Sequence, residues 1–127
     1  MLVAWDPVTQ RERWRNNGGG STGGGTVTTA GNLVFQVVPD GRFVAYSADK
    51  GEKLLDIQTG LHGGMGPPIT YMLDGKQYVS FMGGQGTLPP PLPNAPPPAP
   101  GTAPAGPTVP PKLLTFVLDG KASLPAN

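Results

Sequence analysis

Ala4-Trp5-Asp6-Pro7-Val8-Thr9-Gln10-Arg11-Glu12-Arg13-Trp14 returns in degenerate form as Ala45-Tyr46-Ser47-Ala48-Asp49-Lys50-Gly51-Glu52-Lys53-Leu54-Leu55, an offset of 41 residues from Ala4 to Ala45. A period of this length, carried by short alternating segments and turn residues, is that of stacked propeller blades. Each four-stranded blade must bury its faces against its neighbours. The sequence between the two copies fits one such blade. Thr26–Thr29, Leu33–Val37, Arg42–Tyr46 and Glu52–Ile57 read as strands, joined by turns at Ala30-Gly31-Asn32, Pro39-Asp40-Gly41 and Asp49-Lys50-Gly51. Asn-, Asp- and Gly-containing turns between β-branched and aromatic runs are strong hairpin signals, because tight hairpins need positive φ.

Outside that blade the pattern continues in pieces. Leu2–Trp5 and Arg11–Arg15 read as two strands before it, so Met1 falls inside a repeat. Ile69–Leu73 and Gln77–Met82, joined by Asp74-Gly75, read as the opening of another blade, left incomplete. Leu113–Leu118 is an isolated apolar strand that needs a partner, since a lone strand leaves its backbone donors and acceptors unpaired. The expected fold class is all-β: antiparallel sheets of a partial β-propeller, with one complete blade and parts of its neighbours. The expected division is a partial propeller over 1–86, a Pro-rich linker over 87–111 and a C-terminal strand and tail over 112–127.

The 127 residues include 20 Gly and 17 Pro, a content at which disorder or a loop-rich fold must be considered. Proline crowds into 89–111 and glycine into 18–25, 63–66 and 83–86, which leaves about 80 residues that alternate as strands do. A core of that size supplies only a few kcal/mol, and there is no cysteine to staple it or to attach a c-type haem. The proline tract is expected to sample extended polyproline conformations and act as a spacer. Its P-x-x-P matches are inevitable at that proline density.

Net charge is +1 with both signs interspersed, so there is no basic stripe and nucleic acid is not an expected partner. No apolar run reaches the ~18–20 residues of a membrane span. The first residues lack the basic and apolar regions of a signal peptide.

The chemical motifs resolve mostly into structure. Gly18-Gly19-Gly20-Ser21-Thr22-Gly23 satisfies G-x-G-x-x-G but leads into the β run Thr26–Thr29, not into the helix that would receive a pyrophosphate. Asp40, Asp74 and Asp119 precede glycine in turns, Asp49 lies in the turn before Gly51, and Asp6 precedes Pro7. Glu12, Glu52 and Asp56 lie beside Arg or Lys, and no spacing makes carboxylates converge. His62 is the single histidine and has no spaced ligand partner. Neither Ser21 nor Ser80 sits in G-x-S-x-G. Trp5 and Trp14 are expected to pack between blades.

The pattern A-x-D-x-x-T-G-x-x-x-W resembles the tryptophan-docking motif of quinoprotein dehydrogenase propellers. The first copy keeps Ala4, Asp6, Thr9 and Trp14 but has Gln10 at the turn glycine. The second keeps Ala45 and Gly51 but has Ser47 and Leu55. Residues 2–82, with Thr28–Phe35, Asp40–Tyr46 and Asp74–Val79, resemble the C-terminal blades of pyrroloquinoline-quinone (PQQ)-dependent alcohol dehydrogenases. Leu113–Pro125 resembles the segment that follows the last blade there.

The resemblance implies a periplasmic oxidoreductase in which an eight-bladed propeller holds PQQ with calcium, an aspartate takes hydrogen from an alcohol, and electrons pass to an acceptor such as cytochrome c. Calcium ligands and base lie in earlier blades of that family, so no catalytic or metal residue is assigned here. No cofactor is expected on the isolated chain. The quinone-facing positions that the resemblance carries over are Thr22, Gly25, Gly84 and Gln85, where Thr22 and Gln85 stand in place of family tryptophans. The chain is therefore expected to be an inactive part of such an enzyme, and remaining blades on another chain are among the partners this reading admits. The alternative is a non-enzymatic interaction or assembly module.

Overall fold

A computed structural model describes residues 1–17, 24–61, 65–84 and 110–124. These form nine strands: β1 (Leu2–Asp6), β2 (Arg11–Asn16), β3 (Gly25–Thr29), β4 (Leu33–Val37), β5 (Arg42–Ser47), β6 (Lys53–Gln58), β7 (Ile69–Leu73), β8 (Lys76–Gly83) and β9 (Lys112–Val117). No helix occurs among the described residues, and none therefore could cross a membrane. Most of the expected linker, and its Pro-x-x-Pro matches, lie outside the described residues.

The strands form three antiparallel sheets, in the orders β1-β2, β3-β4-β5-β6 and β7-β8-β9. The middle sheet is the complete blade, its turns falling where the sequence places them. The repeat is exact in register. Ala4 pairs with Trp14 and Ala45 with Leu55, and each ladder carries an irregularity immediately after that alanine. Strands β1 and β2 thus repeat β5 and β6 as the last two strands of a blade.

The turn chemistry explains how the two copies close alike with different residues. Asp6 Oδ1 accepts from the backbone N–H groups of Val8 (2.9 Å) and Thr9 (3.2 Å), fixing the first turn. Gly51 has φ 71°, and Gln10, its counterpart, is held at φ 53°. A side chain in that left-handed region costs roughly 1–2 kcal/mol. Gln10→Gly is therefore expected to raise stability by about 0.5–1 kcal/mol, after the extra entropy that glycine loses on folding. Chemical denaturation of the two proteins checks this.

Two apolar clusters hold the sheets together. Val34, Val38, Val44 and Tyr46 of the blade pack with Leu2 and Trp14 of the first sheet. On the opposite face, Val37 and Phe43 pack with Val79 and Phe81 of β8, Leu114 of β9, and Leu61 and Met65 of the connection. Phe43 is 1% exposed. Its ring centroid lies 5.5 Å from Phe35, 5.0 Å from Phe81 and 4.8 Å from Phe116.

Strand β9 finds its partner within the chain. It pairs with β8 from Tyr78↔Val117 to Gly83↔Lys112, so the sheet opened by β7 and β8 has three strands. Leu118, expected within the strand, begins the turn that follows it. The docking is driven by Leu114 and Phe116, which face the blade and join its core.

Trp5 departs from the packing expected of it. It is 60% exposed, whereas Tyr46 at the same repeat position is 4% exposed. The first sheet covers Tyr46, and among the described residues no sheet precedes β1–β2 to cover Trp5 in the same way.

Candidate functional site

The clearest constructed contact lies between the first sheet and the blade. The Trp14 indole spreads over Gly51, where an added Cβ would come within 2.6 Å of ring carbons. Its Nε1–H donates to the Ala48 carbonyl at 2.8 Å, and its ring centroid lies 6.3 Å from that of Tyr46. Asn16 Nδ2 donates to the Gly51 carbonyl at 2.9 Å. Thus the glycine turn of one blade receives the tryptophan of the preceding one, the role expected of Trp14.

The candidate cofactor positions lie at the end of the sheets where β3 and β7 start and β4 and β8 finish. Gly25 opens β3, and Gly84 follows β8 with φ 108°. Thr22 and Gln85 lie outside the described residues, as does His62. The segment 65–67 ties Gly25 and Gly84 into one rim. Gly24 N–H donates to the Met65 carbonyl at 2.7 Å, Gly66 N–H donates to the Met82 carbonyl at 2.8 Å, and an added Cβ on Gly25 would stand 2.7 Å from Pro67 Cβ. The rim is close-packed backbone. Its glycines let neighbouring sheets approach, and this accounts for Gly25 without a ligand.

The carboxylates are engaged locally. Asp40 Oδ1 accepts from the Arg42 backbone N–H at 3.1 Å, and its Oδ2 meets Arg42 Nε at 2.8 Å. Asp56 meets Lys53 Nζ at 2.8 Å and an Arg42 guanidinium nitrogen at 3.6 Å. Asn32 Nδ2 donates to Asp49, and Arg15 forks onto Glu12. Among the described residues no three His, Cys, Asp or Glu side chains gather to hold a metal. With Gly25 closed by Pro67 and Asp40 committed to Arg42, the described rim does not by itself fit a quinone with its metal ion.

These interactions set a pH dependence. Backbone N–H groups of Thr9 and then Val8 lower the Asp6 pKa, and Arg15 lowers that of Glu12. Asn32 lowers that of Asp49, and Lys53, then Arg42, lower that of Asp56. A carboxyl group with a depressed folded-state pKa contributes stability that is present above its unfolded value near 4 and lost as pH falls through the folded one. The urea midpoint is accordingly expected to hold near neutrality and fall steadily below pH ~4. Asp6→Asn, which keeps an acceptor without titrating, is expected to flatten part of that fall. Urea titrations at several pH values check it.

The family model of the glucose/ethanol/alcohol dehydrogenase β-propeller domain, the PQQ family, matches residues 4–79, from the first repeat into the first half of β8. The chain belongs to this family. Among similar proteins, the quinohemoprotein alcohol dehydrogenase ADH-IIG of Pseudomonas putida is 51% identical over 85 residues, 67% of this chain and 12% of that protein. The 1-butanol dehydrogenase (cytochrome c) of Thauera butanivorans is 41% identical over 125 residues, 98% of this chain and 17% of that protein. The crystal structure of the quinohemoprotein alcohol dehydrogenase from Comamonas testosteroni superposes with a TM-score of 0.69 at 38% identity, covering 99% of this chain and 17% of that one. This member of the PQQ propeller family thus spans about one sixth of the length of those relatives, or less. Its Trp14–Gly51 contact joins two successive blades of such a propeller.

Proposed function

We propose that the chain forms the C-terminal part of a PQQ-dependent alcohol dehydrogenase propeller and supplies the rim around Gly25 and Gly84, while calcium binding and proton abstraction belong to blades outside it. One observation carries this reading: the likeness to the Comamonas testosteroni enzyme extends over 99% of the chain, including β9, and so beyond a single blade repeat. The substrates are alcohols, and the acceptor is a cytochrome c, as the name of the Thauera butanivorans relative supports. The setting is the periplasm.

The outer face of the last sheet suits this role. Ile69, Tyr71, Leu73, Met82 and Leu113 are exposed there, with Tyr71 stacked on Tyr78 at 5.5 Å and bonded to Ser80. Another blade is the occupant we assign to it.

Grafting tests the proposal. The chain replaces its counterpart in the Comamonas testosteroni enzyme, and the chimera is assayed for alcohol-dependent dye reduction with PQQ and calcium. Retained turnover is expected, together with neither turnover nor micromolar quinone affinity for the chain alone. A folded chimera that holds no quinone contradicts the assignment and favours a non-enzymatic assembly module.

A further inference from the structure

The two sheet-to-sheet contacts in this chain are built on one repeat, but only the first is filled. In the first, Trp14 of β2 covers Tyr46 and donates to the Ala48 carbonyl. In the second, the 41-residue offset puts Leu55 of β6 where Trp14 stands in β2. The ladders put Phe116 where Tyr46 stands, as the fifth residue of its strand and facing the preceding sheet. Leu118 stands where Ala48 does. Ala48 N–H donates to the Asn32 carbonyl at 2.9 Å, and Leu118 N–H donates to the Gln77 carbonyl at 3.3 Å, each at the start of the neighbouring strand.

A leucine does not fill a slot built for an indole. A cavity of about 250 Å³ remains between the blade and the last sheet, lined by Leu55, Phe43, Val79, Phe116, Leu118 and Gln77 among others. Leu55 is 38% exposed at its edge. The space is a cleft open to solvent on one side, and it exceeds the volume of about 150 Å³ at which an enclosed apolar cavity takes up benzene, so a two-ring system fits within it with one edge exposed. The walls are almost wholly apolar and aromatic. Gln77 and Asp119 are the polar side chains of the lining; Gln77 is part-buried and its Nε2 donates to Thr70 Oγ1 at 2.9 Å, which leaves its amide oxygen to accept from a ring N–H.

We propose that this cavity is a binding site for a small planar aromatic heterocycle of the indole class, seated between Leu55 and Phe116 as the Trp14 side chain is seated on Tyr46 one blade earlier. The ring supplies the missing apolar area, and its N–H meets the acceptor oxygen that Gln77 offers from the lining.

The test uses the full chain and indole itself, followed by amide chemical shifts and calorimetry. Saturable binding with a dissociation constant of about 0.1–1 mM is expected for a ligand of this size. Its shifts should be confined to the residues around the cleft, in β6, β8, β9 and 118–120 and at Leu33, Phe35 and Phe43 of the blade. Leu55→Trp, which installs the ring covalently, is expected to weaken indole binding at least tenfold and to raise the thermal midpoint by about 4–8 °C. Cyclohexane, which offers no N–H and no ring face, should bind more weakly than indole. No saturable shifts up to the solubility limit of indole, or shifts located elsewhere, would overturn the proposal whether or not the variant folds. Equal affinity for cyclohexane would overturn the assigned ligand class.

Discussion

Phe43→Ala is expected to destabilise the chain by about 3–5 kcal/mol, the range for emptying a buried aromatic site. Phe43 is 1% exposed and touches three other phenylalanine rings, two of them on the last sheet. Aromatic pairs contribute roughly 0.5–1.5 kcal/mol each beyond area burial, so its removal weakens the blade and unseats β8 and β9 together. A core this small supplies only a few kcal/mol in total. The variant is therefore expected to be largely unfolded at 37 °C, and circular dichroism with urea titration at low temperature measures the loss. Phe43→Leu, which keeps most of the volume, should retain more than half of the lost stability.

Trp14→Ala has the second large effect, with a different signature. The indole is half-buried, so the cost is expected at about 3 kcal/mol. It should fall on the contact between β1–β2 and the blade, because Trp14 is the residue that reaches Gly51, Tyr46 and Ala48. Limited proteolysis is expected to release the first 16 or so residues while the blade stays intact. Trp14→Phe keeps an aromatic ring and loses the Nε1–H bond, at about 1 kcal/mol. A uniform loss of stability across the chain, without selective release, would place the tryptophan's role elsewhere. From the other side of the same contact, Gly51→Ala adds both backbone strain at φ 71° and a clash with the ring.

The nine strands were legible because β-branched and aromatic residues alternate between turns whose Asp, Asn and Gly residues name themselves. Asp74 and Asp119, for example, adopt φ 49° and 63°. The 41-residue offset revealed the blade register down to the alanine that precedes each irregularity. What the sequence could not reveal was contact across distance. Nothing local to Leu113–Val117 says that it pairs with β8, since a sheet edge accepts any strand whose apolar face fits. Trp5 misleads for a related reason: its residue type signals burial, but burial depends on a neighbouring sheet.

At the site, the substitution of Leu55 for a tryptophan was visible in the repeat, whereas the cavity it leaves needed the opposing Phe116 and Leu118 to be placed. Gly25 was legible as a close-approach position. Its neighbour Pro67 lies 42 residues away and was not.

Hydrogen exchange on the intact chain tests most directly whether three successive propeller sheets are docked in one unit. Amides of β4, β5 and β8 are expected to be strongly protected, with 113–117 of β9 protected to a similar degree through its ladder to β8. Exchange of 113–117 as fast as residues 121–124, while β4 and β5 remain protected, would contradict the docking of β9. Fast exchange throughout 33–47 would contradict the blade itself.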